Sequence, residues 1–185
     1  MAKKTSARRP AVSRSASETR YASNRLHPTK NDLPEATRVE VIGLLNRRLA
    51  DAIDLETQAK QAHWNVKGPA FIALHELFDQ IHGAVDEYAD LIAERIVQLG
   101  GIAEGTVEVV ADRSSLLDYP LGLSQGREHV AALSDALSEF GRAVRIGIEE
   151  MSELGDADAA DILTEISRGV DKWLWFVEAH LEGNA

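Results

Sequence analysis

The stretch "HELFDQIHGAVDEYADLIAER", residues 75–95, places His75, Asp79, His82, Asp86, Asp90 and Glu94 at successive steps of four, three, four, four and four. Those steps put all six side chains on one side of an α-helix, along some five turns. Beside them Leu74, Leu77, Phe78, Ile81, Val85, Ile92 and Ile96 form the apolar face of the same helix. A solvated face rich in acids is the plain reading of such a row. Against it, no Lys or Arg interrupts the row, and the row runs alongside a face built for burial.

Working outward, this helix is expected from about Phe71 to Leu99, stopped by Gly100 and Gly101. Upstream, "NDLPEATRVEVIGLLNRRLADAIDLETQAKQAHWN" carries Val41, Leu44, Leu45, Leu49, Ile53 and Leu55 at largely helical spacing and ends before the Gly68-Pro69 break. Asp32 and Glu35 suggest a capping box at its start, and Pro34 sits where a first-turn proline is tolerated. Residues 102–123 read as irregular, with "GTVEVV" and "YPLG" as loop markers and a short helix around Ser114 to Leu117. A third long helix is expected from about Ser124 to Glu153, and a fourth follows "GDADAAD" to about Leu181. Four helices with a long connection between the second and third predict an all-α, ferritin-like four-helix bundle over residues 32–185.

The net charge of −10 is unevenly shared. Residues 1–31 hold eight bases (Lys3, Lys4, Arg8, Arg9, Arg14, Arg20, Arg25 and Lys30) and one acid, Glu18, a balance of +7 that leaves −17 for the rest. The segment is rich in Ser and Ala and poor in apolar residues, so a disordered basic tail is expected. A transit peptide is the competing reading, without a clear amphipathic stripe to support it. A basic tail on an acidic body points to a polyanion for one and cations for the other. Phosphate contact with double-stranded DNA, without base readout, suits the tail; a solubilising arm is the alternative.

The chain has no Cys, which excludes thiolate zinc sites and cysteine nucleophiles, so any metal must be held by His and carboxylate. That mixture suits iron, manganese or zinc better than calcium. No apolar run approaches a membrane span and no secretory signal is evident, so a cytoplasmic, nucleoid-associated product is expected. No phosphate-cradling glycine loop, serine triad or His-Glu-x-x-His element is present.

Length limits how the row could hold metal. His75 and Asp79 lie about 16 to 28 Å along the axis from Asp90 and Glu94 at 1.5 Å per residue, so one helix cannot close them round one ion. Another helix of the same chain contributes, or a second subunit packs antiparallel across a two-fold axis, or no metal binds. His63 joins the group if the first two helices pack antiparallel, although a lone His near a helix end is more often a surface or capping group. The usual di-iron Glu-x-x-His pair is absent.

At "KQAHWNVKGPAFIALHELFDQIHGAVDEYADLIAERIVQLGG", residues 60–101, and "ADILTEISRGVDKWLWFVEAHLE", residues 160–182, the sequence resembles the Dps family, the DNA-binding proteins from starved cells. The resemblance covers about residues 34 to 182. It implies a hollow dodecamer of four-helix subunits that oxidises ferrous iron at two-fold interfaces, with hydrogen peroxide preferred, and stores the ferric mineral. Carried over residue by residue, His63, His75 and Asp79 match ligands from one subunit, and Asp90 and Glu94 match those from its partner. Trp64 matches the family's tryptophan beside the centre, as electron donor or packing residue. His82 and Asp86 fall outside the implied ligand set and read first as polar neighbours. Glu149, Glu153, Asp158 and Asp161 lie where the family's acidic three-fold pores are built; a solvated turn is the alternative. A DNA-compacting structural protein with a non-catalytic metal site is the rival to the iron-storage reading.

Overall fold

The structure is a computed structural model and describes residues 26–182. Its helices are α1 (Glu35–Asn65), α2 (Phe71–Gln98), α3 (Val107–Arg113), α4 (Gly126–Leu154) and α5 (Ala157–Glu178). The four long ones form a bundle in which α1 packs most closely on α2 and α4 on α5, with α1 also against α4 and α2 against α5. The short 66–70 connection makes α1 and α2 antiparallel. Contacts descend the pair in order: Arg38 Nη1 donates to the Leu99 carbonyl at one end, and the His63 and His75 rings stack at the other. The apolar faces expected for both helices meet in one core, with Leu45, Leu55, Phe78, Ile81, Ile92 and Ile96 fully buried against Leu133, Leu137, Phe140 and Leu163. No described helix is long and apolar enough to cross a membrane.

Helix ends follow local chemistry more closely than the sequence expectation. Pro34 is the N-cap of α1 and Asp32 makes no capping bond; Asn31 Oδ1 instead accepts from the Leu33 amide. Gly100 ends α2 with φ +87°, a conformation only glycine adopts at low cost. The His27 carbonyl lies where a Gly100 side chain would stand, and the His27 amide donates to Gly100 O at 2.8 Å. His27, in the last part of the segment assigned to the basic tail, is thus bonded to this end of the body; residues 1–25 lie outside the described region. At α4, Gln125 and Glu128 form a full capping box, so the helix starts at Gly126 rather than Ser124.

The crossover differs from its expectation. The "GTVEVV" segment is not loop: α3 spans Val107–Arg113, with Val109 and Val110 turned into α1. Ser114 to Leu117, expected to be the short helix, is not helical and is held against α1. Asp51, fully buried, accepts from the Ser115 amide at 2.7 Å and its hydroxyl at 3.0 Å, and Gln58 Nε2 donates to the Leu117 carbonyl. Side chains of α1 therefore satisfy the backbone and hydroxyl groups that a helix there would have used. The crossover ends with Lys67 paired to Ser124 and Gly126, which pins it to the α1–α2 turn.

Candidate metal centre

The α1–α2 turn brings His63, from the last turn of α1, over His75 in the second turn of α2. Their rings stack with centroids 3.7 Å apart and planes 21° from parallel. His63 Nδ1 lies 2.8 Å from the His75 carbonyl, and His75 Nδ1 lies 2.9 Å from the His63 carbonyl. A carbonyl only accepts, so each Nδ1 is the nitrogen that carries the proton in the neutral tautomer, and Nε2 is then the one that holds the lone pair. This reciprocal bond is the device that orients metal-binding imidazoles. Phe71 covers one side of His75 at 5.1 Å.

Asp79, one turn along α2 and exposed, places Oδ1 3.8 Å from His63 Nδ1. Its nearer partner is the Lys60 ammonium, which hydrogen-bonds Oδ1 and holds the carboxyl below its ordinary range. Lys60 was not expected from the row on α2, where bases are absent. The signal lay on α1: Glu56, Lys60 and His63 fall at steps of four and three, the same spacing as the row they face.

Asp90 and Glu94 are exposed and lie farther along α2 from this group. Among the described residues of one chain, no three His or carboxylate side chains close round a common point. The fold thus brings together His63, His75 and Asp79 and leaves Asp90 and Glu94 facing outward on the same helix. Trp64 is 67% exposed, so packing within its own subunit does not account for it. Trp173 is buried and Trp175 exposed, as their two-residue spacing implies.

Of the acids assigned to a pore, Glu149 and Glu153 are exposed near the end of α4, and Asp158 and Asp161 are exposed at the start of α5. Asp161 lines an open hollow of about 390 Å³ with Ile148, Ser152, Gly155, Ala157, Ala160 and Thr164. Asp158 Oδ2 is 3.5 Å from Arg95 Nη1. Of the tail bases only Lys30 is described, and it is exposed; Lys3, Lys4, Arg8, Arg9, Arg14, Arg20 and Arg25 lie outside the described residues. His129 is buried against Tyr119, its Nδ1 2.6 Å from the phenol oxygen. Burial pushes the His129 pKa down and that of Tyr119 up.

A ferritin-like domain model matches residues 42–184. A DNA protection during starvation protein of Agrobacterium fabrum is 47% identical over 156 residues, covering 84% of this chain and 96% of its own. Among solved structures, the tetragonal form of Mycobacterium smegmatis Dps has a TM-score of 0.81 at 34% identity, covering 85% of this chain and 96% of that one. The Dps of Microbacterium arborescens in its high iron form has a TM-score of 0.77 at 32% identity, covering 85% and 100%.

Proposed function

The chain belongs to the Dps family of ferritin-like proteins, and on that premise we propose that it oxidises ferrous iron at centres shared between two subunits and stores the ferric product in a dodecameric cage. The observation that carries this reading is the reciprocal bonding of His63 and His75, which engages each Nδ1 with a carbonyl and leaves each Nε2 uncommitted, with Asp79 Oδ1 3.8 Å from the His63 ring. Imidazole and carboxylate suit ferrous iron, with zinc and manganese as competitors for the same site. His63, His75 and Asp79 bind the substrate ion from one side, and the partner's Asp90 and the partner's Glu94 close the other. A two-fold axis builds this centre twice. Exposed Trp64, Phe71 and Ile72 border it and are the kind of surface a partner covers.

Hydrogen peroxide is the oxidant proposed. Two ferrous ions give one electron each, the O–O bond breaks, and both oxygens leave at the hydroxide level, so no hydroxyl radical is released. Trp64 stands beside the centre as a reserve one-electron donor. Glu149, Glu153, Asp158 and Asp161 are proposed to draw cations to a pore by their combined field. Glu149 and Glu153 lie towards the C-terminal end of α4, where the helix dipole disfavours anions, so helix stability is not what places them there.

Lys60 competes with iron for Asp79. An exposed pair of this kind contributes at most about 1 kcal/mol, so Lys60→Met should tighten anaerobic ferrous binding by up to about fivefold, read by calorimetry. Weaker binding would mean that Lys60 assists rather than competes.

The basic tail is proposed to bind double-stranded DNA nonspecifically, with twelve tails per particle giving avidity, and to place the protein with the nucleoid in the cytoplasm. Because His27 is bonded to Gly100 of the body, the informative deletion removes residues 2–25. Particles without them should lose DNA retention in gel shifts while keeping peroxide-dependent iron oxidation; loss of both together would contradict separate roles for tail and cage. The test of the main reading is anaerobic ferrous loading of the intact protein followed by peroxide, with ferric absorbance and particle mass recorded together. Rapid oxidation in a soluble, iron-loaded dodecamer is expected, and oxidation at the protein-free rate would overturn it.

A further inference from the structure

Three histidines lie on the face shared by α1 and α2, and all three are tied by Nδ1 to a backbone carbonyl across the helix pair. Two are His63 and His75. The third is His82, whose Nδ1 lies 3.4 Å from the Glu56 carbonyl and 3.5 Å from Glu56 Oε1. A carbonyl and a carboxylate behind one ring nitrogen favour the tautomer with the proton there, so Nε2 of His82 is set up as a ligand in the same way. Asp86 follows one turn along the same row. Burial holds the Glu56 carboxyl above its ordinary range, His82 pulls it down and Asp86 pushes it up, which places the three groups in one electrostatic neighbourhood.

The shared-centre reading fixes where these groups fall in a dimer. His75 facing the partner's Glu94, and Asp79 facing the partner's Asp90, are both centred on the peptide between Ala84 and Val85. The two-fold axis must pass there. At 1.5 Å per residue, His82 then lies about 4 Å to one side of the axis and the partner's Asp86 about 2 Å to the same side, so they share a level within about 2 Å. That level is about 5 Å inboard of the Asp79 level, and its symmetry copy lies about 6 Å beyond it across the axis. Gly83, next to the axis, has open space where a side chain would stand, so the two helices can approach closely.

We infer that His82, backed by Glu56, and the partner's Asp86 form a second divalent-cation site beside the two-fold axis, so that a row of cation sites joins the two oxidation centres of each dimer. The inference rests on the shared-centre reading. The site takes a ferrous ion, or zinc or cobalt in its place, through one imidazole Nε2 and one carboxylate, with water completing the shell. No electron moves there; the site holds an ion about 5 Å along the helix axis from the nearer centre.

The test is an anaerobic titration of the assembled full-length protein with cobalt chloride, following the visible cobalt bands and the equivalents bound per subunit. His82→Gln and Asp86→Asn should each remove about one equivalent per subunit without changing particle mass. Glu56→Gln should weaken that same equivalent about 10- to 100-fold. An Asp79→Ala, Glu94→Ala double variant should retain it while losing cobalt from the oxidation centre. If His82→Gln and Asp86→Asn bind as much cobalt as the parent while the double variant loses it, the second site is refuted and the oxidation centre stands. If neither set changes cobalt binding, the shared-centre reading fails and the second site falls with it.

Discussion

Asp79→Ala and Glu94→Ala particles should assemble like the parent and oxidise ferrous iron with peroxide at no more than about a hundredth of its rate, since even an outer-shell partner of a metal ligand is worth about 10- to 100-fold. Both side chains are exposed in the single subunit, and neither belongs to the core. Truncating them removes no packing, so the fold should survive. Asp79→Ala also frees Lys60 from its partner; an exposed ion pair contributes little to stability. The loss should therefore be confined to binding and oxidation, with melting temperature within a degree or two of the parent. Stopped-flow ferric absorbance after anaerobic loading measures it. A rate close to that of the parent would place the chemistry elsewhere.

The largest effect on stability is expected at the far end of α2. Arg95 is 5% exposed and Asp156 1% exposed. The guanidinium Nη2 meets Asp156 Oδ1, and Nη1 lies 3.5 Å from both Asp158 Oδ2 and Gln98 Oε1. Asp156 also caps α5, accepting from the Ala159 amide at 3.0 Å. One ion pair thus ties α2 to the turn that starts α5. Arg95→Met leaves the Asp156 carboxylate buried with no cation, a loss of about 3–5 kcal/mol, which for a chain of this size is a fall of roughly 10 °C in melting temperature. Adding Asp156→Asn keeps the cap acceptor and removes the charge, and should restore most of the loss. Thermal unfolding of parent, single and double variants decides it: a single variant melting with the parent, or a double variant no better than the single, would contradict the account.

Periodicity made α1, α2, α4 and α5 legible because each buries a continuous apolar face, and glycine made the end of α2 legible because φ at Gly100 is positive. The crossover was not legible. Val107–Arg113 is too short for its period to register, and Ser114 to Leu117 takes its shape from Asp51 and Gln58, some sixty residues away. The same limit applies at the candidate centre. His63, His75 and Asp79 could be listed from spacing and resemblance, whereas Lys60 on Asp79, Glu56 behind His82 and Arg95 on Asp156 are pairings between elements. A one-dimensional pattern carries the residue types of such pairs and not their meeting. His82 shows the consequence: by spacing it is one polar residue in a row, and only its bond to α1 sets it beside the other two histidines.

If each centre takes residues from two subunits, co-assembly of two inactive variants should restore activity. Asp79→Ala lacks one half of every centre and Glu94→Ala the other. In a dimer containing one of each, one centre carries both lesions and the other carries none. Particles from co-expressed variants should therefore recover about a quarter of the parent's oxidation rate when subunits pair at random, since half of the dimers are mixed and each holds one intact centre. Mixed particles, verified by mass, that stay at the rate of either variant alone would show that Asp79 and Glu94 do not meet across the axis.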